Sequence, residues 1–144
     1  MKLYFDSAYI AKCYLNEADG AQVREIARSA ESLYSSTLCI PEMACVFHRQ
    51  LREGSISARQ AATLRKHFAS DVANEVWGLI AMTSNLLQRV DSLVRALPPA
   101  TFIRAGDAIH IASALEYGFE EIWTNDRHLL AAAFASGLRG RSAN

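Results

Sequence analysis

The chain holds only three cysteines, Cys13, Cys39 and Cys45. The count is odd and there is no C-x-x-C spacing, which excludes a disulfide framework and a zinc knuckle. No apolar run approaches the roughly 20 residues that cross a bilayer. Met1-Lys2-Leu3-Tyr4-Phe5-Asp6 reaches an acid too soon for a secretory signal. Charge of one sign is also lacking, since 15 Lys and Arg balance 15 Asp and Glu. No global field therefore draws in a polyanion, and a nucleic-acid face requires local sorting of charge. Neither G-x-G-x-x-G nor G-x-x-x-x-G-K-[ST] occurs, so the Rossmann and P-loop modes of nucleotide binding are out. The expectation left standing is a soluble cytoplasmic domain with no membrane association.

What the chain does have is a core-forming composition. Its 144 residues are 51% hydrophobic and 21% charged, which suits one globular domain over 1–144 without repeats or linkers. Leu3-Tyr4-Phe5 reads as a short buried strand, stopped by a helix cap at Asp6-Ser7. Tyr9, Ile10, Cys13 and Tyr14 follow at helical spacing, and a second helix is expected over 21–30. A second strand is expected over 33–40, with Pro41 opening a helix that runs to Arg52. Ser57 caps another over 58–69. A third strand is read over 76–82, then a helix from Ser84 to the Pro98-Pro99 pair. The spacing predicts a helix over 107–117, a fourth strand over 121–124, and a helix capped by Asn125-Asp126 that Gly137 ends. Residues 139–144 read as a frayed tail. Strands separated by helices pair in parallel, because a parallel connection needs a long crossover. The fold class is thus a three-layer α/β/α domain around a central parallel sheet.

Ligands of such sheets bind beyond the carboxyl ends of the strands, and there the sequence places acids. Asp6 follows the first strand, Glu42 lies one turn into the helix after the second, Asp107 opens the helix leading to the fourth, and Asp126 follows the fourth. Each has a bland role available, as a cap or as a first-turn acid favoured by the helix dipole. Four together are another matter, because like charges sharing a cleft raise one another's pKa. A cation relieves that repulsion. All-oxygen donors select hard ions, Mg²⁺ or Mn²⁺, which activate water for in-line displacement at phosphorus. Metal-dependent nuclease or phosphatase chemistry follows.

The remaining polar residues carry less. Ser7 orients Asp6, contacts phosphate or caps the helix. Thr124 shares a face with Asp126 on an extended segment, whereas Asn125 points the other way. His110 reads as structural or solvent-facing rather than as a proton carrier, since metal-activated water already supplies a nucleophile. His48, His67 and His128 have no zinc spacing. Arg49 and Arg52 share a helix face that reads as solvated, and Trp77 and Trp123 read as core. An aspartyl-nucleophile phosphatase would want Asp-x-Asp after the first strand, where this chain has Ala8. A receiver domain would want an acid after the third, where it has Thr83-Ser84-Asn85.

The motifs have a family likeness. Tyr4 to Tyr14 resembles the opening of a PIN domain, Ile40-Pro41-Glu42 its second acid, and Arg104-Ala105-Gly106-Asp107-Ala108-Ile109-His110 its third. Trp123-Thr124-Asn125-Asp126 is similar to the closing Thr-x-Asp motif. The family often places two hydroxyl residues after the first acid, whereas here Ser7 is followed by Ala8. The compact size resembles the VapC-type toxins of prokaryotic type II toxin–antitoxin systems. That resemblance implies an endoribonuclease dependent on Mg²⁺ or Mn²⁺. It also implies a homodimer held inactive by a VapB-type antitoxin. A binding module whose acidic cleft only receives a basic partner stays open, as does a PIN nuclease of RNA processing or DNA repair that works without an antitoxin.

Overall fold

The computed structural model describes residues 1–143. Its elements run β1 (Lys2–Tyr4), α1 (Ser7–Tyr14), α2 (Gly20–Ser29), β2 (Ser32–Ser36), α3 (Cys39–Arg52), α4 (Ala58–Ala73), β3 (Trp77–Ile80), α5 (Ser84–Ala96), α6 (Ala105–Glu116), β4 (Glu121–Trp123), α7 (Arg127–Ala135) and β5 (Arg139–Arg141). β1 pairs with β2 and β2 with β3, all parallel, with Leu3 opposite Leu33 and Leu33 opposite Trp77. A parallel bridge from Phe5 to Trp123 joins β1 to β4, and β4 pairs in parallel with β5. The strand order is therefore β3-β2-β1-β4-β5.

Successive strand residues face opposite sides of a sheet, so an unbroken apolar run such as Leu3-Tyr4-Phe5 suits a sheet covered on both faces. Leu3 and Phe5 pack with Tyr9, Ile10, Met43, Phe47, Phe68 and Trp77 on one side. Tyr4 packs with Ile80, Ile111, Ile122, Leu129 and Leu138 on the other. The three-layer α/β/α expectation holds, and both tryptophans are buried as expected. No helix among the described residues is long and apolar enough to cross a membrane.

Several boundaries differ from the sequence reading. β2 stops at Ser36, four residues short of the expected end. Thr37 still donates to the Ile80 carbonyl, but the Leu38 N–H is taken by Ser36 Oγ at 3.0 Å and the chain turns into α3. Pro41 is thus inside the first turn of α3 rather than at its first position. The helix tolerates it there, because first-turn N–H groups have no intrahelical acceptor. α4 continues to Ala73, secured at its start by a capping box between Ser57 and Gln60.

Within the tail expected to fray, Arg139–Arg141 form β5 instead, and Asn144 lies outside the described residues. Gly137, at φ 83°, turns the chain out of α7 in a conformation that suits glycine. Leu138 is then buried, and Arg139 N–H donates to the Glu120 carbonyl at 3.0 Å. Gly140 lies so tightly against Leu130 that a Cβ there would collide with it.

Candidate active site

The carboxyl ends of β1, β2 and β4 and the first turns of α3 and α6 surround an open cleft of about 830 Å³. Asp6, Glu42, Asp107 and Asp126 all line it, together with Ser7, Lys12, Arg49, Arg104, Asn125 and His110.

Asp6 is placed by the sheet, its N–H donating to the Trp123 carbonyl at 3.2 Å. It caps α1, with Oδ1 accepting from Tyr9 N at 2.9 Å. Oδ2 accepts from the Thr124 hydroxyl at 2.5 Å. Only 6% of the residue is exposed. Burial pushes its carboxyl up to about 6 against the opposing influence of His110, Thr124 and the Tyr9 amide, while the charge of Glu42 adds to the rise. Thr124, fully buried, also accepts from Asp126 N at 3.0 Å, so one hydroxyl ties the two acids together. Thr124 is thus bonded to both acids from beneath, although it is Asn125, not Thr124, that lines the cleft.

Glu42 is held by a different pair of donors. Its Oε1 accepts from Ser7 Oγ at 2.5 Å and from His110 Nε2 at 2.7 Å. Burial raises its pKa, but the His110 bond and charge and the Ser7 bond outweigh burial and hold it below the usual range. Ser7 therefore serves Glu42, not Asp6, and the cap is Asp6 itself. His110 is buried rather than solvent-facing. A carboxylate only accepts, so Nε2 carries the hydrogen toward Glu42, and in the neutral ring Nδ1 accepts from Tyr4 Oη at 2.8 Å.

Asp107 and Asp126 form the second group. Arg104 reaches both, with Nε 3.4 Å from Asp107 Oδ2 and a terminal nitrogen 2.9 Å from Asp126 Oδ2. Burial raises the Asp107 pKa against the pull of Arg104, and the Asp126 charge raises it further. Asp126 caps α7, its Oδ1 accepting from His128 N at 2.8 Å and Leu129 N at 3.3 Å. The bland roles of Asp6 and Asp126 are thus real, and the second oxygen of each is already bonded, to the Thr124 hydroxyl in one case and to Arg104 in the other.

All four acids share one cleft, but among the described residues no three His, Cys, Asp or Glu side chains gather closely enough to hold an ion. They stand as two pairs, Asp6 with Glu42 and Asp107 with Asp126, and the second is held by Arg104. The donor chemistry nonetheless suits a hard divalent cation. Every donor is a carboxylate oxygen, and Asp6 and Asp107 are both raised, in part by a neighbouring acid.

Several features escape a reading by strand ends. Arg104, one turn before Asp107, was within the quoted motif, yet its reach to Asp126 depends on tertiary placement. His110 lies one turn after Asp107 on the same helix face. Asn125 does line the cleft and donates to Asp19 Oδ2 at 2.7 Å, while Lys12 Nζ binds Glu17 at 2.7 Å and Asp19 at 2.8 Å. Arg49 also lines the cleft and Arg52 does not, so only part of that helix face is purely solvated.

Gly106 sets how closely α6 approaches Glu42, for a Cβ there would lie 3.2 Å from Glu42 Oε2. Gly106→Ala should favour the helix by up to about 1 kcal/mol while displacing a carboxylate pinned by Ser7 and His110. Cleavage of RNA should fall about tenfold while the melting temperature holds or rises. Unchanged cleavage would show that the position of Glu42 is not critical.

Residues 3–135 match the family model for the PIN domain. The ribonuclease VapC45 of Mycobacterium tuberculosis is 24% identical over 144 aligned residues, covering 95% of this chain and 92% of that protein. The crystal structure of FitAcB from Neisseria gonorrhoeae superposes with a TM-score of 0.79 at 14% identity, covering 99% of this chain and 98% of that one. VapBC2 from Rickettsia felis, solved bound to a DNA fragment from its promoter, gives a TM-score of 0.68 at 12% identity, covering 99% and 98%.

Proposed function

Since the chain belongs to the PIN domain family, we propose that it is a metal-dependent endoribonuclease and the toxin of a VapBC-type pair. The observation that carries this is the meeting of Asp6, Glu42, Asp107 and Asp126, from four separate segments, in one cleft at the carboxyl ends of parallel strands. Asp6, Glu42, Asp107 and Asp126 would hold Mg²⁺ or Mn²⁺, which supplies Lewis-acid charge and an activated water.

The chain's own residues prepare that site. Thr124 fixes Asp6 Oδ2 and, through the amide of Asp126, the start of α7. Ser7 and His110 hold Glu42 Oε1 and keep its carboxylate ionised. Asp6, raised to about 6, loses its proton as pH approaches neutrality and then offers a full negative charge. Arg104 neutralises Asp107 and Asp126, the two acids that with Asp6 and Glu42 would hold the cation. An open cleft suits an unpaired strand, whose splayed backbone can enter where a duplex cannot.

A cleft of this charge also suits an extended basic segment that presents Arg, bidentate to carboxylate. A VapB-type antitoxin of that chemistry would compete with metal and RNA. The fold likeness to VapBC2, solved with a DNA fragment from its promoter, supports the reading. Self-association as a homodimer and action in the cytoplasm, where the RNA is, complete the proposal.

The test is cleavage of single-stranded RNA by the purified protein with Mg²⁺ and with excess EDTA. Products with 5′-phosphate and 3′-hydroxyl ends, formed only with metal, are expected because water attacks. Cleavage undiminished in EDTA, or 2′,3′-cyclic ends, would overturn the mechanism. RNA binding without cleavage would favour a non-catalytic module.

A further inference from the structure

Phe102 is a large aromatic side chain at the surface beside the cleft. It is 52% exposed and belongs to neither core cluster. It lies in the connection between α5 and α6, two residues before Arg104. Its neighbours are polar. The His128 ring lies with its centroid 4.4 Å away at an interplanar angle of 43°. The Arg104 guanidinium carbon is 5.7 Å from the Phe102 centroid. Arg104 is the same residue that binds Asp107 and Asp126, and His128 stands in the first turn of the helix that Asp126 caps. One arginine therefore joins an aromatic shelf directly to the wall of the acidic cleft.

This shelf has the composition of an unpaired-base site. Nucleobases stack on aromatic rings and on guanidinium planes whatever their sequence, because every base has a π face. A cation beside the ring attracts the adjacent phosphate as well as the ring itself.

We propose that Phe102, backed by His128 and Arg104, is a stacking platform for an unpaired nucleobase of RNA, next to the cleft where the backbone is cut. The proposal rests on the ribonuclease reading and adds to it a residue that grips substrate without touching the reacting atoms. Phe102 would act on binding, so its loss should appear in affinity and KM and leave kcat nearly alone.

The experiment compares the parent with Phe102→Ala and Phe102→Trp. Binding is measured in EDTA, by fluorescence anisotropy, to a fluorescein-labelled oligouridylate and to an abasic ribose-phosphate oligomer of the same length. Steady-state cleavage of RNA is measured with Mg²⁺. Phe102→Ala should weaken oligouridylate binding or raise KM about fivefold or more, leave the abasic oligomer unaffected and keep kcat. Phe102→Trp should bind as well as the parent or better. Equal losses for both oligomers, which would mark a general surface or a protein-binding patch, overturn the platform, as does no change in either affinity or KM. In each of those cases continued metal-dependent cleavage leaves the ribonuclease reading intact. A parent protein that neither binds nor cleaves RNA removes both.

Discussion

Asp6→Asn is expected to lower RNA cleavage about a thousandfold or more and, in the same protein, to raise the stability of the metal-free fold. The two effects have one cause, a carboxylate buried for its chemistry. The carboxyl of Asp6 rises from 3.8 to about 6 on folding, chiefly through burial. A raised acid favours the fold while protonated, so its contribution is full below about pH 4 and is lost as pH rises through about 6. The ionised form thus costs about 3 kcal/mol above that range, at about 1.4 kcal/mol per pH unit of displacement. Asparagine keeps the cap to Tyr9 N and removes the charge, so a rise in melting temperature of about 5 °C near neutral pH is expected. Melts in EDTA from acid to neutral pH should show the parent losing stability across this window and the variant far less. A destabilised Asp6→Asn with retained cleavage would return Asp6 to the role of a plain helix cap.

His110→Ala is expected to be the most damaging single change to stability within the cleft. The ring fills a buried position, and it bonds Tyr4 Oη at 2.8 Å and Glu42 Oε1 at 2.7 Å. Removing it leaves a cavity and two polar groups without their partner, a loss of about 3 kcal/mol or more. Glu42 also loses the neighbour that holds its pKa down, so cleavage should fall about a hundredfold. Denaturant unfolding and cleavage measured on the same preparation check both. His110→Gln, which keeps a donor within reach of Glu42, should recover part of each. Unchanged stability in the alanine variant would contradict the buried bridge.

Strand-end reasoning located the acids because a parallel sheet sends every chain segment off the same end, where Asp6 follows β1, Asp126 caps the helix after β4 and Glu42 lies in the first turn of the helix after β2. Leu3-Tyr4-Phe5 was legible for a related reason, since a run apolar at every position has no exposed side. What the sequence could not display is pairing over distance. Arg104 reads as one more surface base until Asp126, 22 residues away, is brought to it. His110 lies in a helix whose neighbours Ala108, Ile111, Ala112 and Ala114 are buried as well, so no polar face advertised its role. The four acids do share one cleft, but within it they stand as two pairs, held by groups that sequence spacing does not rank. β5 was missed because its formation depends on Gly140 lying against Leu130. Arg-Gly-Arg has no strand signature of its own.

That last strand has a bearing on self-assembly. A sheet with open sides invites further strands from other molecules, and long, apolar edges are the usual starting point of aggregates. Here one side is closed off by three residues, Arg139, Gly140 and Arg141, both of whose arginines pair with Glu121 on the neighbouring strand, at 2.6 and 3.3 Å. The arginines remain largely exposed and keep the border positively charged. A second molecule approaching that border would bring like charge against like, so growth strand upon strand is blocked there.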